Sequence, residues 1–344
     1  MPALRGGMFI ERHIMEYKNV DYLFQLSYGY WKSHVLITAT DFGIFTLIGE
    51  GRLSAGEVAQ SIHADVRATE MLLNALVSLD LLTIREKRYG NTQTSSLHLI
   101  KGRPYYMGNA IRHLNNIMDN WTMLRETVET GKAVSLTNLP EEADASAVRD
   151  FITAMHDIAS LKTEPMCNNV DLKNARLLLD VAGGPGTYSI ALAKANPQLN
   201  AVVFDLKQVT PITHEFIRDA GMEGRITTQA GNCLEDSFGK EVYDAILVSN
   251  LLHIYNPENN VKILKKCRDA MKDNGQVIIH EFVLDDTKTR PQFAALFSLN
   301  MLIGTQEGAS YSEAEYRAWL EESGFHHIKR VDLGYDSSII IGRK

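Results

Sequence analysis

The chain has 344 residues, 45% hydrophobic and 22% charged, an ordinary globular composition long enough for two domains and unlike a fibre or a disordered polymer. Its 35 basic residues face 42 acidic ones, for a net charge of −7, so no electrostatic footprint for nucleic acid or an anionic membrane is present. Cys167, Cys233 and Cys267 lie far apart and form no CxxC pair, which argues against a metal site and a disulfide framework and fits the reducing cytoplasm.

Met1 to Lys18 mixes Arg5, Glu11, Arg12 and His13 with short apolar stretches. No window there reaches the roughly eighteen apolar residues of a membrane span, so the segment reads as neither signal nor anchor. Residues 19–46 carry Leu23, Leu26, Tyr30, Val35, Leu36, Ala39 and Phe45 at mostly helical spacing, with Tyr22, Phe24, Tyr28 and Trp31 crowding one end; such a helix has too much apolar surface to stand alone. Ser54 and Glu57 form a capping box that opens a short helix to about Ser61. Asp65–Leu79 reads as a second helix, followed by a two-stranded wing, Leu82–Arg85 and Tyr89–Thr92, around Glu86-Lys87-Arg88. Helix, helix and wing make a winged helix over residues 1–100. Its recognition helix holds Arg67 as sole cation beside Asp65 and Glu70, too little to neutralise several phosphates, so dimerisation is favoured over DNA binding.

Residues 101–172 read as a helical connector, with helices over Asn109–Gly131 and Ala145–Leu161. Its methionines and aromatics are core by default, but in a connector Met155 and His156 are candidates to line a substrate cleft. From Asn174 the chain alternates strands and helices, which specifies a doubly wound sheet over 173–344. Leu177–Val181 is a buried strand leading into Gly183, Gly184 and Gly186 and then a helix start, where a ligand can approach the backbone. The next strand ends in Asp205, placed to accept hydrogen bonds from a ribose diol. This is a nucleoside-binding unit. At the C-terminus, His327–Leu333 and Ser337–Ile341 are joined by a turn too short for a crossover helix, so the sheet ends in an antiparallel hairpin.

A parallel sheet closed by such a hairpin is what Rossmann-like S-adenosylmethionine methyltransferases show. The segments LLDVAGGPGTYS, VVFDL, YDAILVSNLLHIYNPENNVKILKKCRDAMKDNGQVIIHEFVLDD and SYSEAEYRAWLEESGF resemble, in order and spacing, blocks of the plant caffeic-acid-type and bacterial class I O-methyltransferases with an N-terminal winged-helix dimerisation domain. The resemblance implies a seven-stranded sheet, S-adenosyl-L-methionine as cofactor, a small-molecule acceptor and a homodimer, with no nucleic-acid, membrane or metal partner. It implies that Asp180, Gly183, Gly184 and Gly186 hold the methionine part of the cofactor. Asp205 and Leu206 would hold ribose and adenine, with Asn232, Cys233 and Ser249 completing that site. His253 matches the family's catalytic histidine, and Glu281 the carboxylate that orients it.

The chemistry suits a histidine. Methyl transfer from a sulfonium is an in-line displacement with a good leaving group, so the enzyme positions the nucleophile and, for a hydroxyl, takes its proton. A paired Glu281 would favour the imidazolium that results, although a pairing of Glu281 with Arg290 is the plainer alternative. The family's second carboxylate is replaced by Ser310, with Glu307 the nearest acid. Pro291–Gly304 reads as a helix over the cleft, presenting Phe293, Phe297, Asn300 and Met301. The expected reaction is O-methylation of an aromatic or polyketide-like acceptor in small-molecule biosynthesis. Sulfur or carbon methylation, which needs no strong base, and a non-methylating use of the cofactor as a fixed charge stand as alternatives. For a carboxylate-bearing sulfur substrate, Tyr105, Tyr106, Arg112 or Arg290 would be the anchor.

Overall fold

The computed structural model describes residues 20–134 and 144–344; the N-terminal segment Met1 to Lys18 lies outside them. The chain divides into two compact units, one ending at Arg112 and one beginning at His113. Among the described residues no helix is long and apolar enough to cross a membrane.

In the first unit the apolar stretch expected as one helix is interrupted. Helical backbone over 20–27 is followed by α1 (Gly29–Asp41) and α2 (Ile44–Ile48). The break before α2 falls at Gly43, whose φ of 66° is the left-handed conformation glycine accepts freely. β1 (Leu53–Ser54) leads into α3 (Ala55–Ser61), and both hydrogen bonds of the Ser54–Glu57 capping box are present. α4 (Val66–Ser78) is capped by Asp65 and buries Thr69, Leu73 and Leu76. The wing has three strands rather than two: β2 (Leu82–Arg85) and β3 (Arg88–Asn91) pair around Glu86 and Lys87, and β1 joins the far side of β3. Positive φ at both turn residues gives the tight hairpin its primed geometry. α5 (Gln93–His98) closes the winged helix.

The connector helix expected over Asn109–Gly131 is three helices: α6 (Gly108–Asn116), α7 (Met118–Thr122) and α8 (Leu124–Thr130). In the second unit α9 (Ala145–Ser160) and α10 (Thr163–Asn169) precede the sheet. Then come β4 (Leu177–Val181), α11 (Thr187–Ala195), β5 (Asn200–Asp205), α12 (Thr210–Asp219), β6 (Ile226–Ala230) and β7 (Tyr243–Ser249). α13 (Pro257–Ala270), β8 (Met271–Glu281), α14 (Gln292–Gly304), α15 (Glu313–Glu322), β9 (His326–Gly334) and β10 (Ser337–Arg343) complete the fold. The seven-stranded sheet has the order β6-β5-β4-β7-β8-β10-β9, parallel from β6 to β8, with β10 antiparallel to both neighbours.

Both sheet faces are covered, which explains the continuous apolar runs of the central strands. One face packs Leu179, Ile246 and Ile279 against residues of α13 and α15; the other packs Leu178, Leu247 and Ile278 against residues of α10, α11 and α12. At the end of β4, Asp180 is buried and accepts a 2.7 Å hydrogen bond from Ser189 Oγ on α11. Burial pushes its carboxyl up to about 7, with the nearby Asp205 adding to the shift and the Ser189 bond opposing it. The folded chain therefore holds a proton on Asp180 that the unfolded chain has released, and stability declines as pH rises from the ordinary carboxylate range toward 7. Asp180→Asn removes that decline. Thermal melts of the ligand-free protein should show the variant gaining on the wild type between pH 5 and pH 8; parallel melting curves across that range would show that Asp180 is not penalised.

Candidate active site

The carboxyl ends of β4, β5, β7 and β8 build the site, each contributing the residues just beyond its last hydrogen bond. After β4 the chain turns through Gly183, Gly184 and Gly186, the last two with φ of 53° and 71°. Gly184 N donates to Asp205 Oδ2 at 2.7 Å and Leu206 N donates to Asp205 Oδ1 at 2.7 Å. The carboxylate thus ties the turn to β5 while each oxygen keeps a free lone pair for a ligand. Burial raises the Asp205 carboxyl to about 6, against the pull of these two amides. Gly183 is glycine for an internal reason: a Cβ there would come within 2.6 Å of the Asp180 carboxyl and 2.8 Å of Val203. At Gly184 the nearest atom to a Cβ would be Ile152 Cδ1, at 3.8 Å. Gly184 carries no side chain of its own, and Ile152 of α9 stands over it.

α9 contributes Val148, Phe151 and Ile152 to a cluster that includes Leu206. On the same helix, His156 Nδ1 lies 2.8 Å from Thr187 Oγ1, and its ring packs on Phe216. Burial lowers the His156 pKa, which favours the neutral ring. His156 therefore stands by the helix that follows the glycine turn, and its neighbour Met155 is half-buried. Asn232 is engaged in its own loop, with its amide donating to Asp236 and its Oδ1 accepting from Leu234 N. Cys233 is buried 3.4 Å from Tyr255 Oη, and burial raises its thiol pKa. Ser249 Oγ meets His280 Nδ1 at 2.9 Å.

His253 sits in a 3-10 turn, Leu252–Ile254, between β7 and α13, whose N-terminus is capped by Asn256 with Pro257 following. It is 7% exposed and Glu281 1%. Nδ1 lies 2.8 Å from Glu281 Oε2, and the His253 amide donates to Oε1 at 3.3 Å. The backbone around it is held by Ala309 N, which donates to His253 O, and by Asn260 Nδ2, which donates to Leu252 O. Gly308 passes so close that a Cβ would fall 2.5 Å from His253 O. Glu281 thus pairs with His253 and not with Arg290, which lies with Asp285 and Arg330 in the wall of an open 650 Å³ cavity whose lining includes neither His253, Glu281 nor any residue of the glycine turn. Glu307 is turned away to accept from Asn256 Nδ2 at 2.7 Å, and Ser310 Oγ is buried without a hydrogen-bond partner. Arg112, a candidate substrate anchor, is engaged within its own unit by Asp41 and Thr40 O.

Around the His253 ring, Phe297 packs edge-on at 4.9 Å and Phe282 stacks at 6.4 Å, and Phe293 packs on both phenylalanines. Further along α14, Asn300 Oδ1 accepts from Trp121 Nε1 of α7 at 3.0 Å, and Met301 is buried. The structure therefore brings Gly184, Asp205 and Leu206 together at the glycine turn and His253, Glu281 and Phe297 together at the end of β8, while Asn232, Cys233, Ser249 and Asn300 have other partners. Sequence reading missed Trp121 as the partner of Asn300 and Ser189 as the partner of Asp180, since neither pairing has a local sequence signal. It also gave no role to Lys162, a single cation at the end of a helix, where a solvated side chain is the usual outcome.

Residues 115–326 match the O-methyltransferase domain family and residues 24–101 the O-methyltransferase dimerisation domain family. The 3-hydroxy-5-methyl-1-naphthoate 3-O-methyltransferase of Streptomyces sahachiroi is 34% identical over 313 residues, 90% of either chain. The tetracenomycin polyketide synthesis 8-O-methyl transferase TcmO of Streptomyces glaucescens is 26% identical over 331 residues, 94% of this chain and 96% of that one. Human N-acetylserotonin methyltransferase in complex with S-adenosylmethionine superposes with a TM-score of 0.87 at 25% identity, over 95% of this chain and 97% of that one. The chain belongs to the O-methyltransferase family and is an S-adenosylmethionine-dependent methyltransferase.

Proposed function

We propose that the chain methylates a hydroxyl of a flat aromatic or polyketide-like acceptor in small-molecule biosynthesis, with His253 as general base. The observation that carries this reading is the buried His253–Glu281 pair set among Phe282, Phe293 and Phe297. The names of the naphthoate and tetracenomycin relatives support the acceptor class.

The glycine turn and Asp205 fit the cofactor, because Gly183, Gly184 and Gly186 put no side chain of their own on the turn and Asp205 retains acceptor capacity for ribose hydroxyls. Leu206 is placed to pack on adenine, with Asn232, Cys233 and Ser249 further along the same edge, and Asp180 supports the turn from behind. When bound, S-adenosylmethionine supplies an electrophilic methyl group on a good leaving group. With Nδ1–H donating to the Glu281 carboxylate, Nε2 is the nitrogen left to take the acceptor's proton, and the oxygen's electron pair becomes the new bond to carbon. Glu281 stabilises the imidazolium formed in that step. Met155, His156, Phe297, Asn300 and Met301 complete the acceptor pocket. The connector helices over 101–172 share in it through the Trp121–Asn300 bond.

The second unit's chemistry is paired with an N-terminal dimerisation unit, and we assign the protein as a homodimer. Support comes from Tyr22, Leu23, Phe24, Leu26, Tyr30 and Trp31, which are each more than half exposed in the single chain. Three free thiols suit the reducing cytoplasm.

Three outcomes check this reading. In a screen of phenols, thioethers and carboxylate-bearing sulfides, phenols should give S-adenosylhomocysteine release, and His253→Ala should lower that turnover roughly 10²–10⁴-fold; a far smaller loss with cofactor binding intact would assign a sulfur or carbon acceptor instead. Asp205→Asn, which preserves shape, should weaken cofactor binding by on the order of 1.5–3 kcal/mol. Wild-type affinity, measured by calorimetry, should decline as pH falls through about 6, where the Asp205 carboxyl protonates; flat affinity down to pH 5 contradicts the ribose assignment. Light scattering should find a dimer that Phe24→Glu with Trp31→Glu converts to monomer, whereas a dimer that survives both changes must be held by another surface.

A further inference from the structure

Beneath the His253–Glu281 pair lies a cation that the reaction described above does not use. Lys162 follows the C-terminus of α9 and precedes the first residue of α10, and only 4% of its surface is exposed. Its Nζ stands 4.6 Å above the centre of the Phe282 ring, the same ring that stacks on His253 and packs on Phe297. A buried ammonium is expensive unless charge or a ring face compensates it. The charges that act on Lys162 are the carboxylates of Glu281 and of Asp336, the latter in the turn between β9 and β10, and the neighbouring His280 of β8 feels the ammonium in return. Glu281 in turn faces His253, Lys162 and the hydroxyls of Tyr311 and Tyr316. One buried carboxylate therefore hydrogen-bonds an imidazole and acts by its charge on an ammonium that stands over the Phe282 ring.

We infer that Lys162 is a positioning residue of the transfer site: its charge offsets that of Glu281, so that the carboxylate orients His253 without holding it protonated before the acceptor arrives. The inference rests on the reading of His253 as base. The electrostatics point one way. A carboxylate 2.8 Å from Nδ1 attracts positive charge on the ring, and an ammonium near that carboxylate opposes the attraction. Burial pulls Lys162 down to about 8 against the two carboxylates, so the offset is complete in acidic and neutral solution and fades above that pH. His280 does not supply the charge, because burial lowers its pKa to about 3 and its Nδ1 is held by Ser249.

The test removes the charge and keeps the bulk. Lys162→Met should move the acid limb of the kcat/KM–pH profile upward by ~1 pH unit, while Lys162→Arg, which keeps a cation, should leave the limb near its wild-type position. A lysine that only packs would, when replaced by methionine, change melting temperature and overall rate with the acid limb unmoved, and that result overturns the inference. Should Lys162→Met fail to fold, lysine side-chain NMR on the Glu281→Gln protein gives the reciprocal measurement. The Lys162 titration should move to lower pH than in the wild type, and an unmoved titration overturns the inference equally. Failure of the base assignment is seen separately, as retained turnover in His253→Ala, and leaves the Lys162 titration in Glu281→Gln to be judged by itself.

Discussion

The hydrogen bond from Gly184 N to the Asp205 carboxylate joins the carboxyl ends of β4 and β5, and the shape of this edge of the sheet depends on it. With Gly184 held in a left-handed conformation and Gly186 likewise at the start of α11, the backbone can leave β4 and enter the helix without a side chain above the turn. The same carboxylate receives Leu206 N, which fixes the first residue of the loop after β5. The acid that the sequence places at the ligand edge is thus the fastener of the turn, and each of its oxygens keeps a lone pair beyond the amide it accepts.

Strand parity decides which titratable groups can do chemistry. Ile278 packs on the face of α11 and Ile279 on the face of α13, so the alternation continues with His280 on the first face and Glu281 on the second. His280 meets the edge of Tyr188 and the hydroxyl of Ser249, in a setting where burial keeps it neutral. Glu281 meets His253. Two adjacent residues of one strand are thereby assigned to a sealed interior and to the pair with His253, by the side-chain period alone.

Much of this was legible in the sequence because the signals are local. The strand–glycine–helix pattern, the capping box at Ser54, the Asn256-Pro257 helix start and the closing hairpin all depend on residues within a few positions of one another. What was not legible depends on distance. β1 has two residues and joins the wing only because β3 offers a free edge. Gly183 is needed because Asp180 and Val203 crowd it, a clash invisible along one dimension. The break of the connector into α6, α7 and α8 occurs at Ile117 and Met123, neither of which breaks helices by propensity. Glu281 could equally have met Arg290 on sequence grounds, and only the fold separates that arginine from the carboxylate.

The second carboxylate expected beside His253 is replaced by Ser310, and this is the feature that most constrains the histidine. Among the described residues no acid other than Glu281 hydrogen-bonds His253, since Glu307 is committed to Asn256. Orientation must come from a single carboxylate, and the geometry shows how it suffices: one oxygen takes the ring Nδ1 and the other takes the amide of the same residue. The imidazole is therefore fixed relative to its own backbone. Ala309 N and the close passage of Gly308 then fix that backbone relative to the loop that leads into α15. A ring held this way cannot swing to follow an acceptor, so the acceptor must come to it. The rigid faces of Phe282, Phe293 and Phe297 suit a flat molecule that can be brought to one orientation by stacking rather than by hydrogen bonds.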